Sequence, residues 1–172
     1  MKQFKAARIL FLTAFALILS FQTVMAQNVV ATLDGKEITK AKLTEYVNKK
    51  LGERYEHLLK DGEGLRKLAG YYIDRQIILE YAKENVDTDK PFIKNHISST
   101  GDKDTVLITA ALKEAVNDKV EYTEQDVKDM FAKGGFGTIK DAENHIITNQ
   151  RKELFKDFIT KLRSKHDINY NG

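Results

Sequence analysis

The chain contains no cysteine and a single proline, Pro91, in 172 residues. Without cysteine there is no disulfide framework, no thiol redox chemistry and no cysteine-ligated metal. Stability must come from an ordinary apolar core. One proline among 31% charged residues suits long helices. Nucleophile motifs are equally scarce. After residue 26 only Ser98, Ser99 and Ser164 occur, and none lies in a G-x-S-x-G elbow. The histidines, His57, His96, His145 and His166, include no pair four residues apart and no HExxH, so each is expected on a solvated helix face.

What the N-terminus does contain is a targeting pattern. Lys2, Lys5 and Arg8 precede an apolar run, Ile9–Phe21, broken only by Thr13 and Ser20. Val24-Met25-Ala26 then offers modest side chains where a signal peptidase reads them. The expectation is a secretory signal peptide over 1–26, cleaved after Ala26, and a periplasmic product. The thirteen residues of the run fall short of the ~20 that span a bilayer, so no stable membrane insertion is expected. No cysteine follows the cleavage site, which excludes a lipoprotein.

Cleavage also changes the charge. It removes three of 28 basic residues and no acid, leaving 25 of each sign and a net charge of zero rather than +3. No basic field remains for nucleic acid. The remaining stretch of about 146 residues, 27–172, is long enough for one apolar core and reads as a single domain.

Within it, "NVVATLDGKEIT" reads as a strand, a tight Asp34-Gly35 turn and a brief return, with Thr39 placed to cap a helix. Leu43, Tyr46, Val47 and Leu51 carry that helix to Gly52. Residues 53–60 form a short amphipathic helix with Tyr55, Leu58 and Leu59. The strongest helix runs from Leu65 to Asn85, apolar around much of its circumference and therefore expected to be central. Thr88 or Asp89 could cap a short helix carrying Phe92, Ile93 and Ile97, with "SSTGD" as a loop after it. Another helix spans 103–118. Thr123 with Asp126, and Thr138 with Asp141, look like two capping boxes. The first opens a helix stopped by Gly134-Gly135. The second opens a long one, from about 139 to 165, with Ile147, Leu154, Phe158 and Leu162 as its stripe. Ile168 and Tyr170 in the closing "DINY" could pair with the N-terminal strand. The fold class is thus mainly α with a small β element, an N-terminal hairpin pairing with a C-terminal strand.

No motif selects a catalytic or metal site. Asp87 and Asp89 lack an EF-hand loop. "GGFG" lacks the Lys-Ser/Thr of a phosphate loop and reads as a linker. No cofactor and no metal are expected.

The order of parts carries more than the motifs. Asp34-Gly35-Ile38-Thr39, then Ile73-Asp74-Arg75-Gln76-Ile77-Ile78 with Ala82, then Val120-Tyr122-Thr123-Glu124-Asp126-Val127-Phe131, follow one another ahead of the last helix. This order resembles the chaperone domain of SurA/PrsA-type foldases, a domain also similar to the substrate-binding part of trigger factor. The resemblance covers nearly all of 27–172, except for 86–104. In that family a parvulin-type prolyl isomerase domain is inserted before the long C-terminal helix. Here only Gly134 to Lys140 separate the two helices, and a compact domain needs ~50 residues or more. The resemblance therefore implies a helical chaperone domain without isomerase activity, not an enzyme.

Its implied partners are unfolded polypeptides, such as outer-membrane or secreted protein precursors. Tyr55, Leu58, Leu59, Phe92, Ile93 and Ile97 are candidates for client contact, with ordinary core packing as the alternative for each. Phe136 in the glycine turn is a further candidate, or a plug where the insertion is missing. The other functional class open to such a domain is a non-catalytic adaptor or dimerisation module for one cell-envelope partner. The terminal strand and long helix also offer a route to a domain-swapped homodimer.

Overall fold

The computed structural model describes residues 29–171, so the signal-peptide expectation lies outside the described residues. These fall into two compact units. One comprises residues 29–72 with 167–171, the other 73–166.

The first unit is built on a three-stranded antiparallel sheet. Strands β1 (Val29–Leu33), β2 (Lys36–Thr39) and β3 (Ile168–Tyr170) lie in the order β2-β1-β3. The hairpin β1–β2 turns on Asp34 and Gly35, with φ of 50° and 74°. Positive φ at both positions is what a two-residue turn matching strand twist requires. Ala31 and Leu33 alternate into the core, and Leu33 pairs with Ile168 on β3. The C-terminal strand anticipated from "DINY" is present and pairs as expected.

Thr39 caps helix α1 (Lys40–Tyr46), its hydroxyl accepting from the Lys42 N–H. The next turn, Val47–Leu51, is a π-helical turn that sequence periodicity does not reveal. Gly52, with φ of 81°, ends it. Glu53–Leu59 then winds as a 3-10 helix. Helix α2 (Gly62–Asn85) follows. At its start the Asp61 carboxylate accepts from the Gly64 N–H at 2.7 Å. Leu68 and Ala69 are fully buried with Leu43 and Val47.

The boundary between units falls inside α2. Its second half supplies Ile73, Ile77, Ile78, Leu79 and Ala82 to the buried set of the second unit. Burial at consecutive positions 77–79 accords with the broad apolar circumference read from sequence. Helices α3 (Pro91–Thr100) and α4 (Lys103–Ala115) follow as a tight hairpin joined by Gly101-Asp102. Two local expectations need correction here. The N-cap of α3 is Lys90, with no side-chain cap; Asp87 instead accepts the Asp89 N–H in a turn before it. Ser98, Ser99 and Thr100 are helical rather than loop, because the Ser99 and Thr100 hydroxyls donate back to the His96 carbonyl and only Gly101, at φ 67°, stops the helix.

Helix α5 (Glu124–Ala132) and helix α6 (Ile139–Arg163) both open on complete capping boxes, Thr123/Asp126 and Thr138/Asp141. Gly134 and Gly135, with φ of 82° and 89°, form the turn between them. Gln150 on α6 clasps the strand-like leader of α5, exchanging hydrogen bonds with the Glu121 backbone N–H and carbonyl. Along α6 the buried positions are Ala142, Ile146, Ile159 and Leu162. The stripe is therefore rotated from the expected one: Ile147, Leu154 and Phe158 are half-buried, Phe158 edge-on to Tyr81 at 5.1 Å. Arg163 Nε donates to Asp74 Oδ1 at 2.6 Å, tying the end of α6 to α2 within this unit. Among the described residues no polar or charged side chain is buried.

Candidate functional site

A concavity lies along the hairpin α3–α4 of the second unit. Three local features hold it open. Asp102 caps α4, its carboxylate accepting from the Thr105 N–H at 3.1 Å and the Thr105 hydroxyl at 2.8 Å. At the other end, Lys90 Nζ donates to Glu114 Oε1 at 3.0 Å, joining the start of α3 to the end of α4. That hydrogen bond, and the carboxylate's charge, hold the Lys90 ammonium above the usual lysine pKa. Ile93 anchors α3 inward and is 5% exposed.

Between the helices lies a cavity of about 260 Å3. Phe92 and Ile93 line it from α3, Val106 and Ala110 from α4. Phe92 stands at its edge, 62% exposed, more than any other large apolar side chain among the described residues. Its ring meets that of His96, one turn on, with centroids 4.2 Å apart. A phenylalanine so open to water loses the burial that usually stabilises such a side chain by about 1.5–3 kcal/mol.

The candidate residues divide between the units. Tyr55, Leu58 and Leu59 are half-buried in the first, on the 3-10 helix. Tyr55 packs edge-on to Tyr71 at 6.2 Å, and Arg54 lies over the Tyr55 ring at 4.9 Å. Tyr71, 47% exposed, belongs to this aromatic surface and went unnoticed in sequence because it sits beside the inward face of α2. In the second unit Phe92 and Ile93 share the cavity, whereas Ile97 is half-buried outside its lining. Phe136 is half-buried, its ring 5.2 Å from that of His145, so it packs onto the start of α6. The cavity wall contributed by α4 was not singled out from sequence. The signal was there, in Thr105, Val106, Thr109, Ala110 and Lys113 spaced along one helical face.

Among the described residues no group of three or more His, Asp or Glu side chains is placed to hold a metal ion. No described helix is long and apolar enough to cross a membrane. None of the known protein families, curated proteins or solved structures compared with the chain matches it.

Proposed function

We propose that this chain is an exported holdase-type chaperone, which binds unfolded or extended polypeptides in the periplasm without catalysis. The observation that carries the reading is Phe92, the most exposed large apolar side chain among the described residues, standing at the edge of the apolar α3–α4 cavity. Exposed apolar surface costs solubility and is usually there for binding. The N-terminal targeting pattern supports export, and the pairing of the N-terminal hairpin with β3 accords with the chaperone domain that the sequence resembles.

Holding a client needs apolar contact of modest affinity and no reacting group. Signal cleavage after Ala26 would release residues 27–172 as the working form. The test is light scattering from a chemically unfolded, unrelated protein diluted into buffer with that form. Suppression at stoichiometric amounts supports the holdase. Unchanged scattering with a folded protein refutes it and favours an adaptor for one partner.

A further inference from the structure

The α3–α4 cavity has ten lining residues, six of them polar by type. Each of the six is engaged elsewhere. The Thr100 hydroxyl donates to the His96 carbonyl at 2.8 Å, and the Thr109 hydroxyl to the Thr105 carbonyl at 2.8 Å. The Thr105 hydroxyl accepts from Arg75 and donates to Asp102, whose carboxylate also accepts the Thr105 N–H. Lys113 Nζ reaches both carboxylate oxygens of Asp118 at 2.7 Å. His96 Nδ1 lies 3.2 Å from the Phe92 carbonyl. With the threonine hydroxyls and the Lys113 ammonium held by neighbours, threonine methyls and the lysine stem join Ile93, Val106 and Ala110 in facing the void.

Charge around the cavity is also neutralised in pairs. Lys113 meets Asp118, Lys90 meets Glu114 and Lys94 meets Asp89. These lysines therefore bring no unmatched positive charge for an anionic ligand. Size narrows the occupant further. An apolar cavity of about 150 Å3 holds a benzene molecule, so about 260 Å3 accommodates one large aliphatic or aromatic side chain. Ten lining residues are far fewer than the ~20–30 per side of a stable protein interface, so a folded partner or second copy would find too little here.

We infer that the α3–α4 cavity takes a single uncharged apolar side chain of an extended polypeptide, selected by volume and read without any hydrogen bond to the peptide backbone. Recognition of this kind is blind to chain direction and to handedness. It differs from adding a strand to a sheet edge, where backbone hydrogen bonds carry affinity and fix direction. The inference rests on the holdase reading for its ligand class, but it fails or stands on its own measurements.

The test uses fluorescent Gly/Ser-rich peptides with one central Leu, Phe or Ser, each made in L and all-D form, titrated into the protein. The Leu and Phe peptides should bind at least about tenfold more tightly than the Ser peptide, and the D and L forms should agree within about threefold. Filling the cavity from its rim by Thr109→Phe, or from its wall by Ala110→Leu, should abolish that preference in variants that melt as the parent does. A D form weaker by more than about tenfold overturns the inference, because the backbone is then being read. So does undiminished binding by Thr109→Phe, the change at an exposed position that is least able to disturb folding. Aggregation suppression that persists in both filled variants, with peptide preference intact, sinks this inference and leaves the holdase standing. Side-chain-selective, handedness-blind binding by a protein that suppresses no aggregation does the reverse.

Discussion

Asp34 and Asp167 exchange hydrogen bonds across 133 positions of sequence: the Asp34 N–H donates to the Asp167 carbonyl at 2.8 Å, and the Asp167 N–H to Asp34 Oδ1 at 2.8 Å. The same aspartate supplies the first positive-φ position of the hairpin turn. It therefore fixes the turn and docks the C-terminal strand together. Asp34→Ala should destabilise the protein by about 1–2 kcal/mol, losing the acceptor for the Asp167 N–H and the short polar side chain that lets a non-glycine residue hold positive φ. Asp34→Asn, which keeps an acceptor and tolerates positive φ, should recover much of that. Urea denaturation of the three proteins decides it.

Gly64 sits in the first turn of α2, where alanine would ordinarily gain about 1 kcal/mol of helix propensity. Here a Cβ would meet the backbone of Leu58, 2.7 Å from its Cα. Backbone cannot step aside as a flexible side chain can. Gly64→Ala should cost about 3 kcal/mol instead of gaining one. A higher melting temperature for this variant would show that the 3-10 helix does not lie against α2.

Phe92 and Ile93 are neighbours with opposite expectations. Phe92→Ser should leave stability within about 0.5 kcal/mol, as exposed positions do, while weakening suppression of client aggregation. Ile93→Ala should cost about 2–4 kcal/mol as a buried truncation. Thermal melts and light scattering on the same two variants separate the roles. Phe92→Ser that suppresses aggregation as well as the parent removes the main support for the holdase.

Thr123 donates to the Asp126 carboxylate through both its hydroxyl and its backbone N–H, at 2.7 and 2.8 Å. The side-chain hydrogen bond, then the backbone one, hold the carboxyl below its ordinary value of 3.8. A pKa lowered by folding means stability that is complete above that ordinary value and lost as pH falls through the lower folded one. Thr123→Ala should melt earlier than the parent at neutral pH, and the gap should narrow in acid below 3.8. Circular dichroism melts at neutral pH and at pH 2 test this. A gap independent of pH would assign the effect to the hydroxyl as acceptor of the Asp126 N–H rather than as donor to the carboxylate.

Export makes its own prediction. Expressed with its N-terminal segment in a cell that processes secretory signals, the protein should be recovered outside the cytoplasm beginning at Gln27. N-terminal sequencing reads this directly, and a product retaining Met1 in the cytoplasm refutes it.

The parts legible in sequence are those fixed by neighbouring residues. The Asp34-Gly35 turn, the Thr39 cap and both Thr/Asp boxes depend on side chains reaching at most three positions away. The β1–β3 pairing was legible because Ile168 and Tyr170 alternate at the period of a strand. The π-helical turn at Val47–Leu51 has no such signature. The end of α3 was misread because serine and threonine propensities argue for a loop, whereas their hydroxyls are satisfied by His96 one turn back. The cavity was legible only by half. Phe92 and Ile93 stood out as apolar, but threonines 100, 105 and 109 read as polar until their hydroxyls are seen to turn away from the void.

The connectivity has a consequence for biogenesis. The first unit is closed by β3, which follows the entire 73–166 segment in the chain. A polypeptide emerging N-terminus first, from a ribosome or a translocation channel, presents β1 and β2 long before their third strand exists. The 73–166 unit has all its residues in hand earlier, and its contacts close shorter loops, which favours earlier folding. During that interval one flank of β1 lacks its partner strand, an edge of the kind that recruits other chains. A protein proposed to guard nascent polypeptides would thus pass through a stage in which it needs the same protection.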